Sequence, residues 1–410
     1  SIIISRLSGY LFSKEPLDQA RLDPKYFTRR RLLSLPTRLS VPLSSLHQAV
    51  QSELDTFFAN LCHRADSIRQ VSAQAFYPAR DRIIARVFSP INQHRMGWVE
   101  EHLPIPRWRG WRVVAADGTA VRLTMRQDNV RSILQGVALG LYLPGIALFL
   151  DFRLHAPLSI ERPMFFEAIA LRRTDDLLVM IVAFLSLTGF GADGSPHSFL
   201  YSVRFFAGMQ SGREFLLSGR REQVVVLRAP DARDAEDDDC PATPTTVRLL
   251  RVTTPNGRVH VPMTSLLDAA AFPAAAFAEL YHGRWRIEEA CKRIRHRLER
   301  EHSSGHLGPI LARRTEDFGA KAVFDHLNAL AAYVATQAFL DPGSSYQINR
   351  TLAIDKIKRQ IGRWLLMASA TTRRLKPLLE EIALHRQKFV PDRSRPQKPQ
   401  PKPHLSHAYQ

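Results

Sequence analysis

Cysteine is scarce in this chain of 410 residues: Cys62, Cys240 and Cys291 stand far apart and are odd in number. That spacing excludes a disulfide framework and a cysteine zinc site, and fits a reducing cytosol. Acidic residues are also short, 39 Asp and Glu against 57 Lys and Arg, for a formal net charge of +18. A basic excess of this size points to nucleic acid or another anionic surface as partner. Long apolar runs are missing too. Val137 to Leu150 is interrupted by the turn pair Pro144-Gly145, and Leu177 to Ala192 falls short of the roughly 20 residues a spanning helix needs. The opening Ser1-Ile-Ile-Ile-Ser is too short for the apolar part of a secretory signal. The expectation is a cytoplasmic protein with no membrane partner.

The segment from Leu280 to Arg300 carries the strongest pattern. Leu280, Ile287, Cys291, Ile294 and Leu298 recur at helical spacing and define one apolar stripe. With about 100° per residue, Tyr281, Arg284, Glu288 and Arg295 share a narrow strip beside it, and Lys292 lies close by. Glu and Arg four apart on a helix are commonly a solvated ion pair. Here, however, seven Lys/Arg stand against three Glu between Arg284 and Arg300, with Tyr281 and Trp285 close by. Cations for phosphate and flat rings for bases are what nucleic-acid contacts require.

The rest of the chain divides by pattern. Residues 1 to 105 read as mostly helical, with Leu46 to Cys62 at helical spacing and a basic cluster at Arg29-Arg-Arg31. This part is either a DNA-binding domain or a helical packing domain with a solvated basic face. Residues 111 to 125 alternate as strands around Asp117-Gly118, a pair that by residue type alone marks a hairpin turn. Two more strands are expected around Pro144-Gly145, and a helix over Pro163 to Ala170. Gln223 to Leu227, Thr246 to Val252 and Arg258 to Met263 read as strands, the last two joined by a turn at Asn256-Gly257. The acidic run Asp231 to Asp239 is expected to be a solvated loop. Residues 277 to 300 and 317 to 340 read as helices. The Pro-rich basic tail is expected to be disordered.

The order Tyr281, two residues, Arg284, three residues, Glu288, six residues, Arg295 resembles the signature of bacterial insertion-sequence transposases of the fourth group, the Tn-five type. That signature ends in Lys where this chain has Arg295. Val113-Val-Ala-Ala-Asp117-Gly-Thr resembles the segment with the family's first catalytic Asp. Val261 to Asp268 resembles the strand before its catalytic helix. Asp317-Phe-Gly-Ala-Lys321 and Ile348-Asn-Arg350 are similar to family text as well. The resemblance covers roughly residues 20 to 370. It implies an α/β fold: an RNase H-like core interrupted by a β-rich insertion, behind a helical N-terminal domain. The corresponding divisions are 1–105, 106–212 and 213–260 (the insertion), then 261–370 and a tail from 371 to 410.

The resemblance further implies a DNA transposase of the DDE type, acting in a bacterial cytoplasm as a homodimer on terminal inverted repeats. Three carboxylates would hold two Mg²⁺ ions, Mn²⁺ being able to substitute, because hard dications take oxygen ligands and two of them need several carboxylates. Asp117 would supply the first from a central strand and Glu288 the last from the helix. Tyr281, Arg284, Lys292 and Arg295 would touch DNA phosphates.

The second Asp is missing. It should open an Asp-Arg-Gly-Tyr/Phe-Pro motif after a strand near Asp176-Leu-Leu-Val179, but Met180-Ile-Val-Ala-Phe-Leu-Ser-Leu-Thr-Gly189 follows. Reading from the last base of the Met180 codon gives an Asp codon, and permitted bases next give Arg, Gly, Phe and Pro. Residues from about 180 to 200 are therefore read as translated out of frame. Met followed by Ile always yields Asp in that frame, so the evidence is the compatibility of the positions after it. Asp175, Asp176 and Asp193 are the alternatives, the first two placed before the strand and the third far downstream. The segment Ser303 to Arg314 departs from family text too. Two rival readings remain: a DNA-binding remnant that no longer cuts, and a different RNase H-like nuclease.

Overall fold

The computed structural model describes residues 2–29, 31–44, 49–127, 130–156, 164, 167–168, 171, 173–181, 198–203, 210–229, 232–237, 242–253, 259–283, 285–298, 307–341 and 344–388. Six helices come first: α1 (Ile2–Phe12), α2 (Lys14–Ala20), α3 (Leu35–Leu43), α4 (Val50–Leu61), α5 (Ala73–Arg80) and α6 (Phe88–His102). Pro36 lies in the first turn of α3, where its missing N–H is no loss. Ser72 caps α5 by accepting from the Ala75 N–H at 3.2 Å.

The strands that follow build one sheet. They are β1 (Arg107–Trp108), β2 (Trp111–Gln127), β3 (Val130–Leu143), β4 (Leu148–His155), β5 (Asp176–Ile181) and β6 (Ser198–Val203). After α7 (Gln210–Leu217) come β7 (Glu222–Leu227), α8 (Ala232–Asp237), β8 (Thr245–Leu250), β9 (Val252–Thr253) and β10 (Val259–Thr264). The order across the sheet is β4-β3-β2-β5-β6-β10-β8-β7. Strands β2, β3 and β4 form an antiparallel meander, whereas β5 runs parallel to β2 and β6 parallel to β5. The three strands expected between residues 213 and 268 are present, and they hydrogen-bond into this same sheet.

Both faces of the sheet are covered. On one face Val114, Ala116, Leu139, Leu178 and Met180 pack with Met96 and Val99 of α6, and Leu227, Val247, Leu249 and Val261 join the same core. On the other face Ala115, Val121, Ala138 and Phe149 pack under Ile287, Ala290, Cys291 and Ile294. Those last four belong to α10 (Trp285–Leu298), which follows α9 (Ala276–Gly283). The 33-residue helix α11 (Leu307–Phe339) then runs along β4 and covers that sheet edge. β11 (Tyr346–Ile348), α12 (Arg350–Leu366), α13 (Ala368–Leu384) and β12 (Arg386–Lys388) complete the chain. Asn349 caps α12, accepting from the Thr351 and Leu352 N–H groups. The N-terminal helices share their core with the C-terminal ones: Leu7, Leu11, Leu39 and Ile91 pack with Phe324, Ile357, Trp364 and Ile382.

Four expectations are corrected. Asp117-Gly118 is not a turn; both residues lie inside β2, opposite Gly140 and Leu139 of β3. The strand runs through because Ala115 and Val121 on either side of the pair both bury against α10, and a reversal at Asp117 would expose one of them. The acidic run is a helix over Ala232–Asp237 rather than a loop. The second C-terminal helix starts at Leu307, ten residues before the expected 317. The tail from 371 is ordered as far as 388, because Leu375, Leu378, Leu379 and Ile382 recur on one side of α13 and join the helical core. Residues 389–410, the Asn256-Gly257 turn and most of Pro163 to Ala170 lie outside the described residues; Met164, Glu167 and Ala168 are helical.

Candidate active site

Asp117 is half-buried on β2, the strand that joins the antiparallel meander to its parallel extension. Side chains alternate along a strand, so Asp117 shares its face with Ala115 and Val121. That is the face α10 covers. Glu288 lies in the first turn of α10, half-buried, directly after the fully buried Ile287. The fold thus brings Asp117 and Glu288 to one face of the sheet, although they stand far apart in sequence.

The placement of α10 is fixed by contacts that sequence reading does not reveal. Arg286 donates from Nη1 to the Pro144 carbonyl at 3.0 Å, tying the start of the helix to the β3–β4 turn. Arg293 reaches Asp325 of α11 at 3.5 Å, and Arg350 of α12 reaches the same carboxylate at 3.3 Å. Burial works against the Arg293 charge, but Asp325 and the Tyr142 hydroxyl hold it, and the net shift of its pKa is upward. The Tyr142 hydroxyl is itself pushed up, mainly by burial. Asp325 is fully buried, so the two guanidiniums make it a structural hub.

The cationic strip is only partly described. Lys292, one turn after Glu288, is half-buried and pairs with Glu289 at 3.0 Å. Arg295 stands two turns after Glu288 along the same helix. Tyr281 is on α9, and Arg284, between α9 and α10, lies outside the described residues. The helix expected over 277–300 is present on both sides of that residue, over Ala276–Gly283 and Trp285–Leu298.

The neighbouring strand β5 places two of the candidates for a second carboxylate, Asp175 and Asp176. Its ladder with β2 pairs Arg112 with Asp176 at the start and Ala116 with Met180 at the end. The residue just after Val179 is thus level with the residue just before Asp117. Asp176 is level with Arg112, roughly 16 Å back along the strand from Asp117 at about 3.3 Å per residue. It is fully buried and taken up by Arg112, with Nε to Oδ1 at 2.5 Å and Nη2 to Oδ2 at 2.7 Å. Asp175 is held by Arg107 at 2.5 Å, and mainly through that hydrogen bond its carboxyl stays below the usual range. Neither reaches the Asp117 end. Asp193 and residues 182–197 lie outside the described residues. Among the described residues no three acidic, histidine or cysteine side chains converge as metal ligands.

No protein-family model matches the chain, and no curated protein matches it. Among solved structures, the chain is similar to one described as the cryo-EM structure of piggyBac transposase synaptic complex with hairpin DNA. The TM-score is 0.45 at 10% identity, over 95% of this chain and 87% of that one.

Proposed function

We propose that this chain is by descent a DNA transposase of the DDE type, with an RNase H-like core, whose second catalytic Asp has been lost. One observation carries the reading: the β2–β5 register sets the end of β5 level with the Asp117 region while α10 brings Glu288 to the Asp117 face. A three-carboxylate site needs a carboxylate at the end of β5 on the Asp117 face; Met180 packs on the opposite, α6 face, and the next residue, level with Asp117 in the same register, is Ile181. The signature from Tyr281 to Arg295 and the segment around Asp117 support the same lineage. Asp117 and Glu288 are hard oxygen donors of the type that binds Mg²⁺ or Mn²⁺, but two carboxylates do not suffice for two dications. The metal pair therefore does not fit the carboxylates that the described residues bring together. The activity assigned is gripping double-stranded DNA, at inverted repeats by lineage, with Tyr281, Arg284, Lys292 and Arg295 toward phosphate and cleavage lost or severely impaired.

The test rebuilds the segment as Asp-Arg-Gly-Phe-Pro starting just after Met180, on the Asp117 face, and compares strand cleavage of a DNA end in Mg²⁺. The rebuilt chain should cut and the parent should not. Equal rates would overturn the loss of the second Asp and pass that position to another carboxylate, such as Asp193.

A further inference from the structure

The two ends of the sheet are treated differently. β4 lies under α6 and α11, and all its residues except Arg153 are buried. β7, at the far end, has β8 on one side and no strand on the other among the described residues. Val224 is 53% and Val226 66% exposed. Strands that stay at an open edge usually carry Lys, Pro, a bulge or a covering helix to prevent pairing with other chains. Glu222 to Leu227 has neither Lys nor Pro, and its ladder with β8 is regular from end to end.

The strand is also complementary to itself. In an antiparallel pair with a twofold axis at Val225, Val224 faces Val226 of the other copy, and Glu222 faces Arg228. Opposite charges and apolar pairs directly across a ladder are both favourable. Arg228 is exposed and makes no ion pair among the described residues. Glu222 accepts from Arg248 through Oε2, yet its side chain keeps 39% exposure. Further along the sequence, Ala229 is followed by Pro230, which has no N–H to donate, so the ladder could not run far past the Glu222–Arg228 pair. We infer that the outer edge of β7 is an interface between two copies of this chain, joined antiparallel about Val225 into one continuous sheet. This inference stands apart from the reading of the active site, and its test uses no DNA.

The full chain, free of DNA, is followed by sedimentation equilibrium over a concentration series. A monomer–dimer equilibrium is expected. Arg228→Glu, which sets Glu against Glu222 twice across the axis, should weaken it at least tenfold while the circular dichroism stays that of the parent. Register is read separately by mixing Val224→Cys and Val226→Cys proteins under oxidising conditions, where the mixture should cross-link more than either protein alone. A chain that is monomeric throughout overturns the inference. If the β7 amides of that monomer resist hydrogen exchange, another part of the same chain covers the edge. A dimer indifferent to Arg228→Glu overturns it equally, since the contact is then elsewhere.

Discussion

Arg112 and Asp176 face each other across the parallel β2–β5 ladder and close two hydrogen bonds, at 2.5 and 2.7 Å, with the Asp176 side chain fully buried. Glu100 of α6 takes a further nitrogen of the same guanidinium, and Arg173 donates its backbone N–H to Asp176 at 2.8 Å. This clamp holds the start of β5 in the register that brings its far end level with the Asp117 region. Asp176→Asn should cost about 3–5 kcal/mol, the usual result of removing one partner of a buried pair. Urea unfolding measures it. A loss below about 1 kcal/mol would show that Glu100 alone neutralises Arg112.

In the rebuilt chain, Asp117→Ala and Glu288→Ala should each reduce metal-dependent cleavage to background. DNA affinity should change little, because carboxylates hold metal whereas cations hold phosphate. Cleavage assays and binding isotherms on the same DNA end separate the two effects. Cleavage at the rebuilt rate by either variant would remove that residue from the site.

Gly140, the partner of Asp117 in the ladder, leaves no room for a side chain. A Cβ there would meet Phe149 and Phe152 at 2.8 Å, two rings stacked 4.3 Å apart in the core beneath α10. Gly140→Ala should destabilise by about 1–3 kcal/mol through overpacking, seen as a lower melting temperature. An unchanged melting temperature would mean that the two rings can shift freely.

His326 is buried between Phe149, whose N–H it accepts at 2.9 Å, and Arg95, whose Nη2 lies 2.6 Å away. Burial first, then the charges of Arg95 and Arg350, push its pKa well below the ordinary 6.5. The unfolded imidazole takes up a proton below that pH and the folded one does not. Stability should therefore fall as pH drops from about 6.5, by up to about 1.4 kcal/mol per unit. Unfolding curves at pH 7 and pH 5 should show that part of the slope disappear in His326→Gln. Equal slopes in the two proteins would show that the imidazole titrates normally.

How much of this was legible in the sequence depended on whether a local signal agreed with tertiary packing. Pro144-Gly145 marks the β3–β4 turn correctly, between Leu143 and Leu148 of the two strands. Asp117-Gly118 carries an equally clear turn signal and is overruled, since the strand buries Ala115 and Val121 on the same side. The apolar stripe of α10 was readable from spacing, whereas its anchors at Pro144 and Asp325 were not, because each joins segments far apart in the chain. Charge misleads in a similar way. Arg38, Arg80, Arg95, Arg112 and Arg248 are all buried, and Arg38 and Arg80 hold Glu316 and Asp317. Part of the basic excess that suggests nucleic acid is in fact internal scaffolding.

The hydroxyl of Ser8 in α1 donates to the carbonyl of Leu365 at the end of α12, across 357 positions of sequence. With Leu7 and Leu11 burying against the same C-terminal helices, the first helix has part of its packing at the other end of the chain. A ribosome adding 5–20 residues per second would need roughly 20–70 s to cover that gap. For that interval the apolar side of α1 can be covered only in part, by α2, α3 and α6. Synthesis, rather than the finished fold, is then the stage at which this protein is most exposed to aggregation and to chaperones, and a copy cut short before Leu365 would leave its own N-terminus only partly sheltered.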